Sequence, residues 1–132
     1  MRQRVIDAST LAYALIGRTS GAAQLRAVLA TTGCHAPHLV DAELGRVLRK
    51  RTHIGQITPT QAHTALRAAR GVIDYRYPHA GSLAEDAWRM RHNLSFYDAL
   101  YVALAARLGL PLVTGDRRLS KAPNLACRIE LT

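Results

Sequence analysis

Short apolar runs alternate with longer amphipathic segments along this chain, and the two patterns predict different elements. The short runs lie at residues 5–6, 34–37, 72–75, 111–114 and 127–131. Small or polar residues bound each run, which is typical of buried strands. The first run is followed at once by Asp7, so a carboxylate is expected at the end of the first strand.

Helical periodicity fills the intervals between the predicted strands. The predicted helices cover residues 11–16, 22–30, 39–54, 58–70, 82–92 and 95–108, with a short turn at 116–121. Thr58 with Gln61, and Ser82 with Glu85, have the spacing of capping boxes. Gly71 and Gly109 are expected to end their helices. The segment 95–108 is apolar on nearly every side, which indicates a helix at the centre of the fold.

Alternation of strands and helices predicts an α/β fold with a central, mainly parallel sheet. The chain has 132 residues and is 48% hydrophobic, so we expect one domain spanning residues 1–132 with a single core. It contains no apolar run of membrane-spanning length and no signal-peptide pattern at its start, and we expect a cytoplasmic protein. The two cysteines, Cys34 and Cys127, are expected to be free thiols.

The charge balance indicates a polyanionic partner. Eighteen Lys and Arg residues face nine Asp and Glu residues, for a net charge of +9. Nucleic acid is the foremost candidate for such an excess, although solubility or an acidic protein partner would explain it too.

Four of the acidic residues are expected at one rim of the sheet. Asp7 and Asp116 follow predicted strands, and Glu43 and Asp98 fall in the first turns of predicted helices. In a parallel sheet these positions open at the carboxyl edge, where α/β proteins bind their ligands. Clustered carboxylates repel one another unless a cation lies between them, and oxygen ligands suit Mg²⁺ or Mn²⁺.

Each of these acids also has an ordinary structural explanation. Asp98 could complete a capping box with Ser95, Asp116 could cap the turn after it, and Glu43 could be a plain first-turn acid. Asp7 is the hardest to explain in this way, because a charge directly after a buried strand needs a partner. The four positions together favour a metal site.

The motifs around these acids resemble those of PIN domains. Residues 5–9, 36–44, 95–105 and 112–116 match that family's acidic motifs in the family's order. The spacing and the length are similar to those of VapC-type toxins of bacterial toxin–antitoxin pairs. The match is least specific between residues 54 and 91.

The resemblance implies a PIN-like three-layer fold and an endoribonuclease whose Mg²⁺ (or Mn²⁺) is held by Asp7, Glu43, Asp98 and Asp116. Thr114, and with less support Ser9, would place hydroxyls beside the pocket. It also implies an RNA substrate, a cognate antitoxin and a homodimer, with no membrane association.

The basic residues that follow Asp116 are candidates for RNA contacts. Arg117 and Arg118 would flank the pocket and could bind phosphates there, although most such pairs are simply solvated surface residues.

Two rival functions are compatible with the sequence. A phosphatase with Asp7 as nucleophile would want an acid where Ser9 stands, and a catalytically silent PIN-like scaffold would bind RNA or protein without cutting.

Overall fold

The computed structural model describes residues 2–132, and its centre is a five-stranded sheet in which every pairing is parallel. The strands are β1 (Arg2–Ile6), β2 (Thr32–Pro37), β3 (Tyr75–Tyr77), β4 (Leu112–Thr114) and β5 (Ile129–Leu131). Their order across the sheet is β3-β2-β1-β4-β5. The predicted α/β class with a mainly parallel sheet is confirmed.

Seven helices surround this sheet within residues 2–132. They are α1 (Ala8–Ile16), α2 (Ser20–Ala30), α3 (Leu39–His53), α4 (Pro59–Val72), α5 (Ser82–Arg89), α6 (Phe96–Leu108) and α7 (Arg117–Ser120). Helices α1, α3 and α4 pack together, and α5 packs on α6, which in turn contacts β1, β2 and β4. Val5 and Ile6 point to opposite faces of β1 and both are fully buried, so the sheet is covered on both sides.

The strand order places a crevice at the end of β1. The chain leaves β1 for β2 on one side, and β4 lies on the other, so the direction of winding changes between β1 and β4. The loops that leave two such strands diverge, and α/β proteins bind ligands in the gap. Asp7 directly follows β1 and Asp116 lies two residues beyond β4, so both stand at this gap.

Helix α6 is central, as its apolar composition predicts. Seven consecutive residues of this helix are buried: Ala99, Leu100, Tyr101, Val102, Ala103, Leu104 and Ala105. Ser95 caps its start by accepting a hydrogen bond from the backbone of Asp98. Gly109 ends it with a φ of 66°, a conformation that glycine adopts without steric cost. Because residues 99–105 are buried, the helix holds half-buried Asp98 in a fixed place at the end of its exposed first turn.

The third strand lies later in the chain than the sequence predicts. Helix α4 continues through Gly71 to Val72, and the strand forms at Tyr75–Tyr77 instead of residues 72–75. Arg76 explains the shift, because its guanidinium donates to the carbonyls of Ala69 and Ile73 at the end of that helix. The Ala69 carbonyl also accepts from the backbone of Ile73, and Arg76 adds further donors at the end of the helix, so Gly71 is not needed as a stop.

The two predicted capping boxes have different outcomes. Thr58 and Gln61 form theirs with both reciprocal hydrogen bonds, at 3.0 and 2.8 Å. Ser82 does not cap α5: the cap is Gly81, with a φ of 74° and no side-chain bond, and Ser82 is the first helical residue. The helix also ends at Arg89, before the predicted His92. Gly81 takes the N-cap position, one residue before Ser82, in a backbone conformation that glycine adopts easily. The Ser82 side chain is therefore not needed as a cap.

Across residues 2–132, no helix combines the length and the apolar character that a membrane crossing requires. Both cysteines are free, as predicted: Cys34 is buried in β2, and Cys127 is half-buried just before β5.

The two thiols are expected to differ in reactivity. Burial, and then the nearby charge of Asp74, raises the pKa of Cys34 to about 11, so at pH 8 its reactive thiolate is scarce as well as inaccessible. Iodoacetamide should therefore modify Cys127 of the native protein well before Cys34, and both at similar rates in urea. Mass spectrometry of the labelled peptides measures this. A Cys127→Ser chain should take up almost no label while native, and rapid labelling of that chain would contradict the buried position of Cys34.

Candidate active site

Hydrogen bonds to both carboxylate oxygens hold Asp7 in place at the centre of the site. It is only 8% exposed, and it caps α1 by accepting a hydrogen bond from the backbone of Thr10 at 3.0 Å. Its second carboxylate oxygen accepts a hydrogen bond from the hydroxyl of Thr114 at 2.5 Å. The buried charge thus has the partners that its position after a strand requires, and they are neutral donors.

Two hydroxyls join the end of β1 to the end of β4. Thr114 donates to Asp7 and accepts from the backbone of Asp116 at 3.0 Å. Ser9 donates to the other oxygen of Asp7 at 2.7 Å and accepts from the backbone of Gly115 at 3.1 Å. Both residues therefore lie beside Asp7, where the sequence predicts them.

Glu43 reaches the site from α3. Its Oε1 atom accepts a hydrogen bond from the hydroxyl of Tyr101 at 2.6 Å, across 58 positions of the chain. Burial raises the pKa of Glu43, and the charges of Asp7 and Asp98 raise it further, while the bond from Tyr101 and the charge of Arg46 act against the rise.

Asp98 and Asp116 line the same cleft, of about 330 Å³, together with Asn93, Leu94, Ser95, Arg118, Leu119 and Ala122. Burial raises the pKa of Asp98; the Ser95 hydroxyl opposes this, and the charges of Asp116 and Asp7 add to it. Asp116 caps α7 by accepting from the backbone of Arg118 at 2.9 Å, so the capping role considered for it is correct. Only one of its oxygens serves the cap.

The four acids thus act on one another, although they are not drawn tightly together. The charge of Asp7 raises the pKa of both Glu43 and Asp98, and the charge of Asp116 also raises the pKa of Asp98. Within residues 2–132, no three His, Cys, Asp or Glu side chains are close enough to hold a metal ion in their present positions. Their assignment as metal ligands therefore stays a prediction. Like charges that share a partly buried site spread apart, which is consistent with this spacing.

Positive charge borders the acidic cleft. The side chain of Arg118 is 93% exposed, with its Nε 3.5 Å from Asp116, and its charge lowers the pKa of Asp98. Arg46 has the same effect on Glu43 from the next turn of α3. Arg117 is exposed at the start of α7. Of these three arginines, Arg118 lines the cleft itself, and contact of Arg117 and Arg118 with RNA stays a prediction.

Four other acids are engaged elsewhere. Asp41 lies in the first turn of α3 and pairs with Arg76 through two hydrogen bonds of 2.7 and 3.0 Å. Asp86 pairs with Arg89 and Arg107, and Glu130 with Arg4. Asp74 accepts from the backbone of Cys34.

Sequence reasoning missed the contribution of Tyr101. Its place in an apolar helix indicates only a core aromatic, yet its hydroxyl donates to Glu43, a candidate metal ligand. A signal existed, because Tyr101 lies three residues after Asp98, one helical turn further along the same face of a helix that is otherwise apolar. A buried tyrosine hydroxyl needs a hydrogen-bond partner, and few polar groups were available to it.

Comparisons with known proteins agree with this architecture. The family model described as "PIN domain" matches residues 4–125. Ribonuclease VapC1 of Mycobacterium tuberculosis (strain ATCC 25618 / H37Rv) is 48% identical over 131 residues, covering 99% of this chain and 98% of the relative. Ribonuclease VapC9 of the same strain is 40% identical over 125 residues, covering 95% and 94%.

A solved structure extends the likeness to the fold. VapBC2 from Rickettsia felis, solved bound to a DNA fragment from their promoter, superposes with a TM-score of 0.72 at 14% identity and covers 98% of both chains. Because the family model spans most of the sequence and two relatives exceed 30% identity along nearly all of it, this protein belongs to the PIN-domain family.

Proposed function

We propose that this protein is a metal-dependent endoribonuclease that hydrolyses RNA phosphodiester bonds, and that it is the toxin of a toxin–antitoxin pair. The observation that supports the proposal is that four carboxylates lie near the gap between β1 and β4, close enough for the charge of Asp7 to raise the pKa of Glu43 and of Asp98. They come from four distant parts of the chain, and they sense one another electrostatically. The relatives named Ribonuclease VapC1 and VapC9 support RNA as the substrate.

The chemistry of these donors fits a hard divalent cation. All four are carboxylates, and the nearest additional donors are the hydroxyls of Ser9 and Thr114, so every candidate ligand atom is oxygen. Oxygen ligands suit Mg²⁺ and Mn²⁺, whereas zinc sites favour nitrogen and sulfur. Burial, and then the charges of the neighbouring acids, raise the pKa of Glu43 and Asp98, and a cation between the acids would relieve the repulsive part.

Each residue has a role in this proposal. Asp7, Glu43, Asp98 and Asp116 would hold Mg²⁺ or Mn²⁺, and Thr114 and Ser9 orient the carboxylate of Asp7 for that task. A bound ion would supply charge neutralisation at the scissile phosphate and would make a water molecule a better nucleophile. The buried hydrogen bonds of Asp7 hold its oxygens in place before substrate arrives, which reduces the reorganisation needed during the reaction.

The arginines at the cleft rim would bind the RNA backbone. Arg117 and Arg118 follow Asp116 directly, and phosphates on either side of the scissile bond would pass close to them. A net charge of +9 draws RNA to the protein as a whole, while the acidic cleft repels a phosphate that lacks a counterion. The metal and the arginines would therefore act together on the same strand.

The proposal extends to partners and location. A cognate antitoxin would restrain the enzyme, and both would act in the cytoplasm, where the RNA substrate is.

We also propose that the protein forms a homodimer. Trp88 and Phe96, the single Trp and Phe of the chain, are 59% and 41% exposed and line one shallow groove on α5 and α6. Light scattering should find twice the mass of one chain for the wild type and a monomer for Trp88→Ser, while Val28→Ser, at another exposed apolar position, should stay dimeric.

Cleavage of RNA is expected to depend on both the metal and the acids. Purified protein, freed of any antitoxin, should cut RNA with Mg²⁺ or Mn²⁺ and stop cutting with EDTA. Asp7→Asn and Asp98→Asn should lower the rate at least about 100-fold, equivalent to roughly 2.7 kcal/mol of transition-state stabilisation. Asparagine keeps the helix cap at residue 7, so the loss reports on charge and not on folding.

Glu130→Gln is the matched control for these variants, since Glu130 is a half-buried acid of β5 outside the cleft and the amide oxygen can still accept from Arg4. It should cut at the wild-type rate. RNA that is bound by the folded wild-type protein but stays intact in the presence of Mg²⁺ and Mn²⁺ would favour the silent scaffold over the nuclease.

Binding of RNA is expected to weaken when the rim arginines are neutralised. In an Asp98→Asn background that prevents cutting, Arg117→Gln with Arg118→Gln should lower affinity and reduce the salt dependence of binding by roughly 0.7 in slope per lost phosphate contact. Fluorescence anisotropy at several salt concentrations measures both quantities. Arg67→Gln with Arg70→Gln removes equal charge from exposed positions of α4 and should change the slope much less. Equal effects from the two pairs would show that only net charge matters.

A further inference from the structure

Tyr101 places one polar group within the most apolar helix of the chain. Its side chain is almost wholly buried in α6, with 2% of its surface exposed. The hydroxyl donates to Oε1 of Glu43 at 2.6 Å. Among the hydrogen bonds of residues 2–132, this is the one that a side chain donates to Glu43, so Tyr101 fixes where that carboxylate lies.

The same hydroxyl is close to the start of α1. The backbone N–H of Ala8 lies beside it and opposes the large rise in the pKa of Tyr101 that burial and Glu43 cause. Ala8 directly follows Asp7, so one hydroxyl stands between the acid on α3 and the backbone next to the acid at the end of β1. The contact joins three elements: α6, α3 and the start of α1.

Glu43 needs such a restraint because of its neighbours. The charges of Asp7 and Asp98 both act on it, and with no other restraint repulsion would turn the flexible glutamate side chain out toward water. Asp7 is held by a helix cap and two hydroxyls, whereas Glu43 sits on a longer side chain with a single donor. The tyrosine therefore supplies most of the order at this position.

We propose that Tyr101 is a positioning residue that holds the Glu43 carboxylate near Asp7 and Asp98 for metal binding. The proposal rests on the metal-dependent function proposed above. Residues that hydrogen-bond to metal ligands orient them, and their loss typically weakens metal affinity about 10- to 100-fold. The competing explanation is that a buried tyrosine simply bonds the nearest acceptor, in which case its hydroxyl matters for stability and not for the metal.

Tyr101→Phe separates the two explanations, because it removes one hydroxyl and adds no atom. Mn²⁺ alone is the probe, and the free ion is followed by electron paramagnetic resonance without RNA. We expect Tyr101→Phe to bind Mn²⁺ about 10-fold more weakly than the wild type. The matched control is Tyr97→Phe, an exposed tyrosine one turn earlier on α6, which should bind Mn²⁺ as the wild type does. Unchanged affinity in Tyr101→Phe would overturn the proposal.

A double-mutant cycle tests whether Tyr101 acts through Glu43. In a Glu43→Gln background the carboxylate to be positioned is gone, so adding Tyr101→Phe should change Mn²⁺ affinity less than about two-fold. A further 10-fold loss in that background would show that Tyr101 acts on the metal by another route and would overturn the proposal.

A measurement on the wild-type chain avoids any dependence on how the variant folds. Mg²⁺ added to protein labelled at tyrosine Cζ should shift one of its five tyrosine carbon resonances strongly, and that resonance should be the one that is missing from the spectrum of Tyr101→Phe. No shift in any resonance at saturating Mg²⁺ would overturn the positioning role.

A failure of the proposed metal-dependent nuclease function would give a different set of results. If the wild type itself binds no Mn²⁺ and cuts no RNA, the metal site is wrong and this inference falls with it. If the wild type binds Mn²⁺ and cuts RNA, while Tyr101→Phe binds Mn²⁺ equally well, only the positioning role is wrong.

Discussion

The hydrogen bond between Thr114 and Asp7 joins the ends of the two strands between which the site lies. Parallel strands alone bring residues 7 and 114 to the same edge, since Ile6 pairs with Val113 in the sheet. The bond then fixes the carboxylate of Asp7, and the Thr114 hydroxyl in turn receives the backbone of Asp116. Ser9 repeats the connection through Gly115. The other three acids therefore lie near an Asp7 carboxylate whose position these hydrogen bonds fix.

This arrangement brings negatively charged carboxylates near one another, and hydrogen-bond donors and arginines beside them reduce the repulsion. Each acid has neutral donors or a nearby arginine: Ser9 and Thr114 at Asp7, Tyr101 and Arg46 at Glu43, Ser95 and Arg118 at Asp98. These contacts offset part of the mutual repulsion, and the pKa values of Glu43 and Asp98 stay raised by burial first and by the neighbouring charges second. A site that keeps uncompensated negative charge attracts cations, and here it lies in a protein that is otherwise strongly basic.

The sequence predicts the fold class and the neighbourhood of the acids because both depend on local patterns. Strand and helix periodicity place Asp7 and Asp116 at strand ends, and the parallel arrangement brings them to one edge. Contacts between distant residues are less accessible. The start of β3 depends on Arg76 reaching back to α4, and the capping of α5 depends on the backbone of Gly81. The bond from Tyr101 to Glu43 crosses 58 positions and leaves only an isolated polar group in an apolar helix as its signal.

The central claim is that the four acids share a divalent cation, and crystals grown with MnCl₂ test it most directly. Anomalous diffraction locates manganese without assumptions about the protein. The account predicts a peak in the cleft at roughly 2.1 Å from oxygens of Asp7 and of at least one other of the four acids, with side chains turned toward it. A well-ordered cleft without a manganese peak at saturating concentration, or manganese bound only elsewhere, would contradict the account.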